Sequence, residues 1–163
     1  MMVVVSDTGP LRYLIQIGAI DALPKLYSVL LTTPVVMREL QLAHCPTEVR
    51  SWSERPPTWL KIESPATTEF LEKLDEGEAT ALSLARERSA ALILIDERDG
   101  TALARTLGFE AYGTLGVIAL AGARGHIHFE RALERLLTAT HFRHSPEIIE
   151  RTRQRFAELC RDQ

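Results

Sequence analysis

A three-layer α/β/α fold, with helices on both faces of a mainly parallel central sheet, is what this 163-residue sequence predicts. Two observations concern individual strands. The runs Val3-Val4-Val5 and "AALILI" (90–95) are short, apolar and free of charge, as strands buried on both faces must be. Each gives way to polar residues and then to apolar residues at helical spacing. A third observation is global: strands and helices alternate along the chain, the order that parallel strands joined by crossover helices require.

The elements follow in order. After the valine run, Thr8-Gly9-Pro10 is a helix-start signal, with proline in the first turn where its missing N–H costs nothing. Leu11, Leu14 and Ile15 recur at helical spacing, followed by Ile20, Leu23 and Leu26. "SVLLTT" (28–33) reads as a second strand, and Pro34 opens a helix running to about Ala43. A short helix within "CPTEVRSWSERPPTW" is stopped by Pro56-Pro57, and "WLKIES" reads as an edge strand. From Thr67 the pattern is helical, with a break at Gly77 before "EATALSLARER". After "AALILI" come a helix over 97–107, a short strand near "FEAYG" and a helix from "TLGVIALAGA". Two helical patterns close the chain, the last starting at Ser145-Pro146 and carrying Ile148, Ile149, Phe156, Leu159 and Cys160 among many charges.

No repeat, linker or low-complexity segment interrupts this order, so residues 1–163 read as a single domain with a C-terminal helical extension at about 141–163. Apolar content of 45% and charged content of 25% are ordinary for a globular chain. No apolar run approaches the roughly 20 residues that span a bilayer, and no basic segment precedes the valine run as a signal peptide requires. Cys45 and Cys160 form no disulfide framework and read as reduced thiols of a cytoplasmic protein without membrane partners. A net charge of −3 excludes a protein that coats nucleic acid non-specifically, but not an acidic centre beside a local basic rim.

Carboxylates mark the chemistry. In open parallel sheets, sites gather beyond the carboxyl ends of strands. Asp7 lies just after the first strand and Asp96 just after "ALILI"; capping the next helix is the ordinary role for either. On a wheel of 3.6 residues per turn, Glu78 falls in the apolar stripe of Ala81, Leu82 and Ala85, whereas Glu76 falls on the polar side with Thr80, Ser83 and Glu87. Glu39 likewise shares a face with Val35, Val36, Leu40, Leu42 and Ala43, while Arg38 and Gln41 point away. A core-facing glutamate is costly unless it snorkels to water, pairs with a buried arginine or meets a metal.

Four such groups together would repel one another and hold their pKa values high, a problem that a divalent cation removes. Oxygen ligands suit Mg²⁺ or Mn²⁺; neither cysteine sits in a CxxC pair, and "HIH" (126–128) reads as surface histidines. Sites of this kind perform phosphoryl-transfer hydrolysis. Asp7-Thr8-Gly9 is also the triplet of aspartic proteases, but those need two aspartates across β-rich lobes, and this chain is strongly helical. Haloacid-dehalogenase-type phosphatases need a second aspartate two residues on, where Gly9 stands.

Taken in order, "SDTGPLRYLIQIGAIDALPKLY", "TPVVMREL", "LDEGEATALSLARE" and "LILIDERDGTALARTLGFEAYGTLGVIALA" resemble the PIN-domain family, particularly the branch near VapC-like toxins of toxin–antitoxin systems. The resemblance spans nearly the whole chain. It implies a parallel sheet flanked by helices and an acidic centre binding Mg²⁺ or Mn²⁺, carried here by Asp7, Glu39, Glu78 and Asp96. It also implies a ribonuclease leaving a 5′-phosphate and a 3′-hydroxyl, acting as the toxin of a type II pair, held by an antitoxin protein and paired as a homodimer. The alternative is a PIN-like protein- or RNA-binding module with little or no catalysis.

Several positions stay open. The fourth carboxylate is Asp96 by its strand-end place, with Asp99 next as a metal ligand; Glu97 most simply favours the helix N-terminus. Thr8 positions a water or phosphate, or caps the first helix. The branch commonly has an arginine where Thr101 stands, so phosphate binding or a salt bridge is weakened there. Backbone N–H groups around Thr114 face a phosphate or simply begin a capped helix. Arg12, Arg38 and Arg98, close in sequence to the acidic positions, are candidates for steering RNA.

Overall fold

Val4, Val5, Leu30, Leu31, Ile93 and Leu94 are all but fully buried, and they form the middle of the sheet. The computed structural model describes residues 2–163. Its strands are β1 (Val3–Ser6), β2 (Val29–Thr32), β3 (Leu60–Ile62), β4 (Leu92–Leu94) and β5 (Glu110–Tyr112). Every pairing is parallel, in the spatial order β3-β2-β1-β4-β5. β1 is therefore central, with Val4 opposite Leu30 on one side and Leu92 on the other. The edge strand expected in "WLKIES" is β3, buried at Leu60 and exposed at Lys61 and Ile62.

The helices are α1 (Thr8–Gln16), α2 (Leu23–Leu26), α3 (Pro34–Leu40), α4 (Thr47–Glu54), α5 (Glu76–Glu87), α6 (Arg98–Thr106), α7 (Thr114–Ala123), α8 (Phe129–Ala139) and α9 (Pro146–Arg161). α5 lies on β1 and β4 with α6 beside it, while α1 packs with α4, α7 and α8 in the other helical layer. The prolines and hydroxyls do what their positions predict. Thr33 accepts the N–H of Val36 at the start of α3, Pro34 follows it, and Ser145 accepts the N–H of Ile148 before α9. His128, the last of the "HIH" histidines, caps α8 by accepting the N–H of Arg131 through Nδ1.

Two segments depart from the periodicity. Residues 67–75 form turns, not a helix: Phe70 takes a left-handed backbone (φ 70°), and the N–H of Glu69 is taken by the Ser83 hydroxyl at 2.8 Å. The helix starts at Glu76, capped by Asp75, so Gly77 sits inside its first turn rather than at a break. α3 also stops at Leu40, earlier than Ala43, because Gln41 closes the helix and the chain turns to bring Cys45 back under it. Leu42 is consequently exposed. Cys45 is buried and Cys160 exposed, both as free thiols. Among the described residues no helix is long and apolar enough to cross a membrane.

α9 packs along α7 of its own chain. Phe156 stacks on Phe129 with ring centroids 4.0 Å apart and planes 2° from parallel, over Gly122. A Cβ at Gly122 would stand 2.8 Å from Phe129 Cβ, so only glycine lets the pair seat. Ile149, Phe156 and Leu159 turn to the core, whereas Ile148 and Cys160 face outward. Phe156→Ala should lower the unfolding free energy by roughly 2 kcal/mol, less than a fully buried phenylalanine because this ring is half-buried. A urea midpoint unchanged from the parent protein would show that α9 adds nothing to the fold.

Candidate active site

The carboxyl edge of β1 and β4 is where the sheet order reverses, since the chain winds outward from β1 in one direction and from β4 in the other. Ligand sites of open α/β sheets lie at this switch point. Asp7 follows β1 and Asp96 follows β4, and the Asp7 N–H donates to the Leu94 carbonyl at 2.8 Å, locking the two strand ends together. From the helices, α3 brings Glu39 and α5 brings Glu78.

Asp7 is 4% exposed. It stands at the N-cap of α1, yet its side chain makes no capping bond, and Oδ1 is buried without a hydrogen-bond partner. Burial, followed by the like charges of Glu39, Asp75 and Asp96, pushes its carboxyl up to about 8 against a partial opposing effect of the Thr8 backbone. Glu78 is 7% exposed, whereas the Glu76 side chain is 64% exposed and meets Arg38 at 3.8 Å on the surface. The helical wheel assigns these two glutamates correctly, but Thr80 and Ser83, which it puts on the polar side with Glu76, are buried, covered by Thr33 and by the turn at Glu69. Glu78 is pushed up to about 9, by burial first and then by Asp75, Asp7 and Glu97.

Glu39 is half-buried; the Thr8 hydroxyl donates to its Oε2, and burial together with Asp75 raises its pKa against that bond. Thr8 is thus neither a helix cap nor a free hydroxyl. Asp96 takes two bonds from one residue: the Thr114 N–H reaches Oδ1 and the Thr114 hydroxyl reaches Oδ2, each at 2.7 Å. Burial nevertheless raises Asp96. The first N–H of α7 therefore faces Asp96 itself.

Small residues let the backbone come this close to the carboxylates. A Cβ at Gly77 would fall on the Glu39 carboxylate, one at Gly100 would lie 2.8 Å from Glu78 Oε2, and one at Gly113 would lie 2.6 Å from Asp96 Oδ1. Asp75 also belongs to the acidic group, a membership that helical phase alone does not reveal. It accepts the Glu78 N–H at 2.9 Å. The signal for it is Asp75-x-x-Glu78, the spacing of a capping box, but Glu78 turns inward instead of reaching back.

Asp99 and Glu97 are exposed. Asp99 borders a surface depression with Lys73 and Leu74, and its neighbour Gly100 leaves room for the Glu78 carboxylate. Of the candidate steering arginines, Arg38 pairs with Glu76, Arg12 is half-buried with its Nε unpartnered, and Arg98 is exposed at the start of α6.

A family model described as a PIN domain matches residues 3–158. The chain belongs to the PIN-domain family. The observed sheet, parallel throughout and covered by helices on both faces, is the three-layer fold expected of it. PIN domains have a nuclease-type fold and generally act on RNA or DNA with divalent metals. No curated protein and no solved structure matches the chain.

Among the described residues no group of three or more His, Cys, Asp or Glu side chains is drawn together tightly enough to hold an ion as it stands. The chemistry of the PIN-domain edge nonetheless fits a hard cation. Its donors are carboxylate oxygens alone, one of them buried and unpartnered, and their mutual repulsion is what a divalent charge offsets.

Raised carboxyls make stability depend on pH in a fixed direction. Between the unfolded pKa near 3.8 and the folded value of about 8, the folded protein keeps a proton on Asp7 that the unfolded chain releases, so stability falls as pH rises and levels off above about 8. In EDTA, Asp7→Asn should remove part of that decline and stabilise the protein at pH 8 by up to a few kcal/mol, on the order expected for relieving an unpaired buried charge. A loss of stability at pH 8 instead would mean that Asp7 has a structural partner.

Proposed function

We propose that this PIN domain is a Mg²⁺- or Mn²⁺-dependent ribonuclease that hydrolyses RNA phosphodiester bonds, and that it is the cytoplasmic toxin of a type II toxin–antitoxin pair. The observation that carries the catalytic reading is Asp7 Oδ1, buried and unpartnered at the carboxyl edge that also carries Glu39, Glu78 and Asp96. Among the described residues nothing satisfies that oxygen, and buried polar groups are ordinarily partnered.

Asp7, Glu39, Glu78 and Asp96 would be the metal ligands. A divalent cation supplies, when bound, an activated water and charge for the leaving oxygen. The chain's own residues prepare its place. The Thr8 hydroxyl holds Glu39, and Thr114 fixes both oxygens of Asp96 while leaving lone pairs free. Asp99, exposed on the first turn of α6, is the further candidate ligand. Products with a 5′-phosphate and a 3′-hydroxyl, an antitoxin partner and a homodimer are proposed on the family resemblance.

Purified protein should cleave RNA with Mg²⁺ or Mn²⁺ and lose that activity in EDTA; RNA left intact with either metal would sink catalysis and leave the binding-module reading standing. Glu78→Gln should lower the cleavage rate by roughly 100-fold, as removal of a metal ligand does, while Glu76→Gln leaves it near that of the parent protein. Equal effects would remove the buried glutamate from the site. Mn²⁺ should raise the melting temperature of the parent protein but not of Asp7→Asn. Asp96→Asn and Asp99→Asn compared in the same assay decide which of the two acts as a ligand. Light scattering at micromolar concentration should give about twice the chain mass of 18.3 kDa, and a monomeric mass would remove the dimer alone.

A further inference from the structure

Beside the carboxylates the surface opens into a cleft of about 560 Å³, and its walls are basic. One wall is α6, where Arg98, Thr101, Ala102 and Arg105 follow one another at i, i+3, i+4 and i+7. The opposite wall is α9, where Ile148, Arg151, Thr152 and Arg155 repeat that spacing. Each helix thus presents one continuous stripe to the same space. Arg143, in the segment leading into α9, adds a fifth arginine, and the only acidic residue in the lining is Asp96 at the inner end. The floor is apolar and low, made by Ala111, Leu115, Gly116 and Ala119, with Phe142 at the side.

This charge is available. Among the described residues Arg98, Arg143 and Arg151 make no ion pair; Arg155 meets only its neighbour Glu158, at 3.5 Å on the surface, and Arg105 reaches the Ala111 carbonyl at 3.4 Å. Five guanidiniums held around one concavity repel one another, and a polyanion relieves that repulsion. The chain as a whole carries −3, so the stripe is a local feature and not a reflection of composition.

We propose that this cleft binds the single-stranded RNA flanking the scissile bond: its phosphates lie against the α6 and α9 arginines, and an unstacked base sits on the apolar floor near Phe142 and Ile148. The proposal rests on the ribonuclease reading for the identity of the strand and adds the path along which it reaches Asp96. A small floor flanked by an aromatic ring and an exposed isoleucine accommodates a splayed base, which a duplex cannot offer. Thr101 then has an account. It occupies the middle of the α6 stripe, between Arg98 and Arg105, and α9 and the segment before it bring three further arginines to the same space.

The test is binding without turnover. Fluorescence anisotropy of a labelled, mixed-sequence, single-stranded oligoribonucleotide in EDTA, titrated across salt, reads how many phosphates the protein neutralises. R143A/R151A removes two exposed cations and no packed side chain. It should weaken binding for every sequence tried and flatten the log K against log[salt] slope by roughly 0.7 for each phosphate left without its arginine. Arg131→Ala, an exposed arginine on α8 outside the cleft, should leave the slope unchanged. An unaltered slope in R143A/R151A, an equal change in Arg131→Ala, or no binding by the parent protein would each overturn the proposal. A parallel titration with poly-glutamate separates the other polyanion: loss of peptide binding in R143A/R151A with RNA binding intact would assign the cleft to an acidic protein partner and overturn the RNA path. Cleavage by the parent protein with Mn²⁺ is scored separately, so a chain that binds RNA in the cleft without cutting it rejects the nuclease reading while retaining the cleft.

Discussion

A carboxylate buried at the end of the central strand, with one oxygen unpartnered, is the constraint around which the rest of the carboxyl edge is organised. Asp7 cannot retreat to water because β1 has a neighbour on each side and the Asp7 N–H is tied to Leu94. The other carboxylates are held towards it by short local devices: the Thr8 hydroxyl on Glu39, the Asp75 cap that starts α5 so that Glu78 turns inward, and the paired bonds of Thr114 on Asp96. Each device carries an energetic benefit of its own, about 1 kcal/mol for a typical hydrogen bond or cap. What they assemble is unfavourable, a set of like charges whose pKa values all rise. A fold selected for stability alone would place apolar groups there, as replacement of buried charges by hydrophobic residues commonly stabilises proteins.

How much of this could be read from the chain depends on whether the cause was local. The apolar runs that become β1 and β4 identify themselves because a strand covered on both faces has no polar alternation to display. The phase of α5 is equally readable, since Ala81, Leu82 and Ala85 define one face and Glu78 must share it. The same wheel misplaces Leu42 and Ala43, because α3 ends at Leu40 and a wheel presumes the helix continues. The turns at 67–75 have helical periodicity but are held by Ser83, a residue from the next helix, and by a left-handed Phe70 that composition does not announce. Thr8 and Thr114 are visible as hydroxyls at helix starts; that one serves Glu39 and the other Asp96 depends on strand order. Asp75 is visible as a cap, and its part in the acidic group follows only once Glu78 is seen to turn inward.

The arginines show the same limit from the other side. Their spacing, Arg98 with Arg105 and Arg151 with Arg155, is plain in the sequence, but nothing local says that α6 and α9 face one cleft. Sequence proximity to the acidic residues points to Arg12, Arg38 and Arg98; Arg98 lines the cleft, whereas Arg12 is half-buried and Arg38 is paired with Glu76. Net charge conceals the arrangement further. At −3 the chain reads as mildly acidic, whereas its charges segregate into a carboxylate edge and an adjoining basic cleft. Such segregation concentrates an anionic ligand beside groups that would otherwise repel it.

α7 is the element that makes those two regions one structure. Its first residue, Thr114, holds both oxygens of Asp96; its next turns, through Leu115, Gly116 and Ala119, form the floor between the arginine stripes; and Gly122 near its end receives the Phe129–Phe156 stack that seats α9. The wall contributed by α9 is therefore positioned by packing about two turns from the residue that orients Asp96. A shift of α9 along α7 would move Arg151 and Arg155 relative to the carboxylate edge without breaking any bond within it. The C-terminal helix thus supplies both apolar anchorage to the fold and the far side of the cleft. Its two sides divide that work: Ile149, Phe156 and Leu159 face the core, while Ile148, Arg151 and Arg155 line the opening.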